Sequence, residues 1–87
     1  MANSKLSKKA KKDLNKLTNN DAIRILKALR YLETNPYFGK KMKGEFKGLW
    51  RIKIPPFRVI YRYDKSTNLI LIVSIGYREG IYKRLGL

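Results

Sequence analysis

The order of hydropathy patterns predicts an α+β fold: an N-terminal αα-hairpin packed on one face of a twisted antiparallel sheet of three to four strands. Three observations point there. Helical periodicity fills residues 7–33, three stretches rich in β-branched and aromatic residues follow residue 48, and glycine- or proline-bearing segments separate them. At 87 residues the chain is expected to form a single domain, 1–87, with one modest core.

The first residues read as a frayed edge strand. Ser7–Leu17 reads as a helix in which Ala10, Leu14 and Leu17 make a narrow apolar stripe, while Lys8, Lys9, Lys11, Lys12 and Lys16 cover much of the remainder. Thr18-Asn19-Asn20-Asp21 supplies a break and a choice of N-cap. A second helix runs to about Glu33 with Ile25, Leu26, Leu29 and Leu32 facing inward, and Thr34-Asn35-Pro36 stops it. This pair is not expected to read DNA as a helix-turn-helix, because its second helix offers few base-reading side chains in its first turns. Residues 37–48, YFGKKMKGEFKG, read as a glycine-punctuated basic loop. Strands are expected at roughly 49–54, 57–63 and 69–76, with YREGIYKRLGL as an irregular or strand-like end.

Strand parity then sorts the side chains. Trp50, Ile52 and Ile54 point one way, and Arg51 and Lys53 the other. With residue 54 opposite 57 across Pro55-Pro56, Phe57, Val59, Tyr61 and Tyr63 join the Trp50 face. Arg58, Ile60 and Arg62 then join the Arg51 face. Two prolines lack the positive φ of a tight type I′ turn, so a wider loop of even length is expected. A five-residue loop at 64–68 pairs Tyr63 with Leu69, setting Leu71, Val73 and Ile75 on the apolar face. Ile72, Ser74, Gly76 and, by continuation, Arg78 fall on the basic one, which carries no carboxylate on any expected strand. A one-residue slip would bury these charges against the helices.

Charge sets the chemistry. Lys and Arg number 21 against 6 Asp and Glu, a formal net charge of +15. The acids are too few for balanced ion-pair networks, so a nucleic acid or another polyanion is the expected partner. Cysteine and histidine are absent, which excludes disulfides, thiolate metal sites and the usual general base near neutral pH. Chemistry must then use Lys, Arg, Tyr or the few carboxylates, and neither metal nor cofactor is expected. No segment has the character of a signal peptide or a membrane span, so a cytoplasmic location is expected.

The order KKAKKDLNKL, a helix ending in NP, KMKGEFKGLWRIKIPPFRVIYRYD and ILIVSIGYREGIYK resembles the RelE/ParE toxin superfamily over nearly the whole chain. The most specific pieces are MKG followed by G-x-W-R-I-K, the strand F-R-V-I-Y, and the ending I-G-x-R…Y-K. The resemblance implies a toxin from a toxin–antitoxin pair. Its RelE-type members cut messenger RNA in the ribosomal A site with a metal-free basic cluster, and its ParE-type members poison DNA gyrase. By position it implies catalytic roles for Arg51, Lys53, Arg58, Arg78 and Tyr82. Many relatives carry histidine after the late glycine, where this chain has Tyr77. Glu45 is the nearest carboxylate to consider as a replacement acid or base.

Cleavage of this type activates the 2′-OH, stabilises charge on the phosphorane and protonates the leaving 5′-oxygen. Arg58 and Arg78 suit the charge, since a guanidinium fork binds phosphate oxygens bidentately. Lys53 is the candidate base, and Arg51 is excluded from that role because guanidinium does not deprotonate in proteins. Tyr82 is placed to stack on a base or position the phosphate. Arg62, Lys8, Lys9, Lys12, Lys43 and Lys47 are candidate RNA contacts. The expected partners are a cognate antitoxin, a 70S-type ribosome and messenger RNA. The alternatives are a gyrase inhibitor of the same fold and a non-catalytic RNA-binding module.

Overall fold

The computed structural model describes residues 1–77. In chain order it contains β1 (Asn3–Leu6), α1 (Lys8–Asn15), α2 (Asn19–Thr34), β2 (Lys40–Lys41), a 3-10 turn at Gly44–Phe46, β3 (Trp50–Ile54), β4 (Phe57–Asp64) and β5 (Leu69–Tyr77). The strands form one five-stranded sheet in the order β1-β5-β4-β3-β2. The α+β class and the helical hairpin on one face are as expected; the strand count and the purely antiparallel pairing are not. β1 pairs parallel with β5, which makes the sheet mixed, and β2 pairs antiparallel with β3. β1 is the edge strand expected at the start of the chain, whereas β2 was unforeseen, and its two residues cannot display a period-two pattern. The region read as a basic loop therefore contains a strand and a helical turn; Gly44, which opens the turn, and Gly48, just after it, both adopt positive φ.

The helices begin where polar caps allow. Ser7 Oγ accepts the Ala10 N–H at 3.0 Å, and Thr18 Oγ1 accepts the Asp21 N–H at 3.3 Å. Ala10, Ile25, Leu29 and Leu32 from the helices pack against Ile52, Phe57, Val59, Tyr61, Ile70, Ile72 and Ile75 from the sheet. Each fully buried aliphatic side chain contributes about 1.5–3 kcal/mol. Leu26, expected inside, is 43% exposed. The i, i+4, i+7 stripe of Ile25, Leu29 and Leu32 meets the sheet, which leaves Leu26 on the flank.

At the β3–β4 turn Ile54 does pair with Phe57, but no wider loop is needed: Pro55 and Pro56 alone form the connection, with a cis peptide between them. From α2, Arg24 Nη2 donates to the Pro55 carbonyl at 2.7 Å, and Arg24 Nη1 lies 3.4 Å from Asp21 Oδ1. Arg24 is 47% exposed, so Arg24→Ala should cost only about 1 kcal/mol, lowering the midpoint of thermal unfolding by about 4–8 °C. An unchanged midpoint would show that the turn stands without this bond.

β5 departs from the expected register. β4 extends to Asp64, which pairs with Leu69, so Tyr63 meets Ile70 and Tyr61 meets Ile72. Ile70 and Ile72 are therefore fully buried in the core, although Ile72 was expected on the basic face, whereas Leu71 and Val73, expected in the core, are half-buried. Ile60 then pairs with Ser74, leaving Val73 as the extra residue of a β-bulge. The bulge restores the expected parity from Ser74 onward. Ile75 is buried in the core, and Gly76 lies opposite Arg58.

Candidate functional site

Three rows of paired residues cross the face opposite the helices. Lys53, Arg58 and Gly76 form the first, and Lys40, Arg51, Ile60 and Ser74 the second. The third runs Arg62, Leu71 and Lys5. Lys40, Lys53, Arg62 and Lys5 are exposed and Arg51 is half-buried. The middle is closed: Ile60 and Ser74 are fully buried and Arg58 is 7% exposed. The expectation of a face without carboxylates is corrected at one end, because β4 runs on to Asp64. Asp64 Oδ1 accepts from Ser66 Oγ at 2.7 Å and from Ser66 N at 3.0 Å. Those bonds, the hydroxyl's first, hold its carboxyl below the ordinary aspartate range.

Open depressions lie among the cations. One of about 410 Å³ is lined by Lys40, Lys41, Met42, Lys43, Phe46 and Arg51. A second, of about 210 Å³, is lined by Lys53, Pro55, Pro56, Phe57 and Arg58, so the buried arginine still reaches a surface cleft. Rigid guanidinium forks and a mobile ammonium around a concave surface suit phosphate groups, and Phe46 adds a ring on which a base can stack.

The structure thus gathers Arg51, Lys53 and Arg58 from β3 and β4, with Arg62 two residues beyond Ile60 on the same face. Lys43 joins through the 410 Å³ depression. Lys8, Lys9 and Lys12 belong to the helical layer and Lys47 caps the 3-10 turn, so these four stand outside the sheet's basic rows. Glu45 sits exposed within that turn and does not line the depression. Arg78 and Tyr82 lie outside the described residues. Sequence reasoning missed Lys5 and Lys40, carried by the edge strands, and Phe46. The glycine-flanked KKMKGEFKG run was the available signal for the last two.

Trp50, Phe57 and Tyr61 turn toward the helices, as expected, and pack in or against the core. Tyr61 also fastens the segment before β2. Its hydroxyl donates to the Pro36 carbonyl at 2.9 Å and accepts the Gly39 N–H at 2.9 Å. Burial pushes the Tyr61 phenol above the ordinary tyrosine range, opposed in part by the Gly39 bond. A raised folded-state pKa stabilises the protein fully below the unfolded value, and this contribution is lost as pH rises through the folded one. Tyr61→Phe should therefore cost about 1–3 kcal/mol at pH 8 in a urea titration, and the gap from the parent should narrow at strongly alkaline pH. A gap independent of pH would refute the assignment.

Helices on one side of a twisted sheet and rows of Lys and Arg on the other define a small basic α+β protein whose charge suits a polyanion. The profile of the ParE toxin of the type II toxin–antitoxin system parDE matches residues 5–82. An assigned toxin RelE1 of Methanocaldococcus jannaschii is 31% identical over 86 residues, covering 93% of this chain and 94% of that protein. The chain belongs to the RelE/ParE toxin superfamily and is a toxin of the toxin–antitoxin type. Its fold is shared with the toxin–antitoxin complex RelBE2 of Mycobacterium tuberculosis, at a TM-score of 0.82 and 23% identity over 88% of this chain and 98% of that one. It is shared equally with the isolated RelE toxin of Escherichia coli, at a TM-score of 0.79 and 19% identity over 99% and 96% of the two chains. Among the described residues no helix is long and apolar enough to cross a membrane.

Proposed function

We propose that this toxin is a ribosome-dependent endoribonuclease that cleaves messenger RNA in the A site. The observation that carries the reading is the direct cross-strand pair of Lys53 and Arg58, one row from Arg51 on the face opposite the helices. In this reading the 2′-hydroxyl attacks its own phosphate, leaving a 2′,3′-cyclic phosphate and a free 5′-hydroxyl. Lys53, exposed at the rim of the cleft, takes the attacking proton, and the departing 5′-oxygen takes up a proton from solvent as the P–O5′ bond breaks. Arg58 and Arg51 hold the extra charge on the phosphorane. Arg78 and Tyr82 complete the site on the strength of the resemblance. With no group suited to efficient proton transfer near neutral pH, catalysis draws mainly on positioning and charge stabilisation, in an RNA oriented by the ribosome. Lys43, Arg62 and the cations of α1 dock RNA, with attraction that falls as salt rises.

The toxin is held inactive in the cytoplasm by a cognate antitoxin. Support comes from the toxin–antitoxin complexes among its structural relatives, and a net charge of +15 favours an acidic partner. The matched ParE profile keeps gyrase inhibition as the second reading. Induction of the chain in cells, with messenger 5′ ends mapped by primer extension, separates the two. Cuts at fixed codon positions support the nuclease. Growth arrest with DNA breaks and intact messages would establish the gyrase inhibitor, and harmless expression with salt-sensitive RNA binding would leave only an RNA-binding module.

A further inference from the structure

We infer that Asp13 is a positioning residue for the basic face, acting through the β5 bulge. Asp13 lies on α1, the helix that packs beside β5, and is only 6% exposed. Its Oδ2 accepts the Ile75 N–H at 3.0 Å and the Ser74 hydroxyl at 3.3 Å, partners more than 60 residues away in the chain. Burying a carboxylate is costly unless its hydrogen bonds are met, so an aspartate at this place calls for a reason beyond packing.

The reason lies at the outer edge of β5. β1 ends at Leu6, opposite Ile72, and beyond that point no strand among the described residues pairs with β5 on that side. Side chains and backbone at the start of α1 take over. Ser7 N donates to the Ile72 carbonyl at 3.0 Å and Ser7 Oγ donates to the Val73 carbonyl at 2.9 Å. Asp13 then accepts from Ile75. These three bonds bracket Val73, the bulged residue. They hold the register in which Ser74 and Gly76 return to the basic face while Ile75 enters the core. A slip of one residue would exchange those faces and set a branched side chain where Gly76 now faces Arg58. Through Ser74 and Ile75 the effect of Asp13 reaches Gly76 and, across the strand pair, Arg58.

The test uses the full chain with Asp13→Ala, Asp13→Asn and Ser7→Ala. Nuclear magnetic resonance follows hydrogen exchange at the Ile75 amide, the Gly76 amide shift and the Arg58 Nε–Hε signal. Single-turnover cleavage on programmed ribosomes gives kcat and KM. Asp13→Ala should speed Ile75 exchange by about 100-fold and move the Gly76 and Arg58 signals. It should lower kcat by roughly 10- to 100-fold with KM within about threefold, as misplacement of a reacting group does. Asp13→Asn keeps an acceptor and should recover most of each readout, with Ser7→Ala intermediate. Where Asp13→Ala does not fold, Asp13→Asn and Ser7→Ala carry the same readouts. Unmoved Gly76 and Arg58 signals, an effect confined to KM, or an asparagine variant as impaired as alanine would each overturn the inference. The kinetic arm rests on the proposed nuclease. If the parent cuts no message, that proposal fails, and the exchange and shift readouts still decide the role of Asp13.

Discussion

Arg58→Ala is expected to lower the rate of message cleavage by about 10²–10³-fold, the scale on which removing a preorganised charge donor acts. The residue is 7% exposed yet lines the cleft beside Lys53, so its guanidinium is held before RNA arrives. A donor fixed in a largely dry setting stabilises developing charge without reorganising, which is why a buried arginine should matter more than an exposed one. Arg62 supplies the contrast. It lies exposed on the same face, opposite Leu71, and Arg62→Ala should mainly raise KM and reduce the salt dependence of binding. Arg58→Lys separates charge from shape: an ammonium lacks the fork, so most of the loss should persist. Single-turnover cleavage on programmed ribosomes measures all three, with thermal unfolding run in parallel because truncating a buried side chain also leaves a cavity. Full activity in a folded Arg58→Ala variant would remove this residue from the mechanism.

Parity within the central hairpin was legible because Trp50–Ile54 and Phe57–Tyr63 alternate apolar and basic residues, broken only at Ile60. Any other pairing buries charge. β5 was not legible in the same way. Leu69-Ile70-Leu71-Ile72-Val73 is apolar at every position, so neither face declares itself. Tertiary packing chose Ile70 and Ile72, and the Val73 bulge reconciled that choice with Ile75. The site shows the same division. Arg51, Lys53 and Arg58 could be placed from sequence because they sit in strands with a pattern. Lys40 and Lys5 could not, because they reach the face on edge strands whose pairing depends on distant segments: Leu69–Ile72 for β1 and Trp50–Arg51 for β2. Asp13 was hidden among the lysines of α1, where an isolated carboxylate reads as surface.

The attachment of β2 is where one methyl group should do the most damage to the fold. A Cβ on Gly39 would lie 2.6 Å from the Arg51 carbonyl and 2.5 Å from the Tyr61 hydroxyl, both closer than carbon and oxygen tolerate. The first contact is backbone of β3 and cannot swing aside, and the second is a ring held at both ends of its hydrogen bonds. Gly39→Ala should therefore push β2 away from β3, break the Tyr61 bonds to Gly39 and Pro36, and cost about 2–4 kcal/mol. For a domain of this size that is a fall of roughly 10–20 °C in the unfolding midpoint. The same displacement carries Lys40 away from Arg51, its direct pairing partner, and opens the depression they share with Lys43 and Phe46. RNA binding by the folded fraction should then weaken and its salt dependence shrink, whereas Arg24→Ala, acting at the opposite end of β3, should leave both unchanged. A double-mutant cycle with Tyr61→Phe tests the cause. With the hydroxyl already gone, the alanine methyl still meets the Arg51 carbonyl and the Tyr61 ring edge at 2.9 Å but no longer the oxygen at 2.5 Å, so the paired loss should fall short of the sum by about 1 kcal/mol. Strict additivity would mean that the hydroxyl takes no part in resisting the methyl and that Tyr61 holds the loop independently of Gly39.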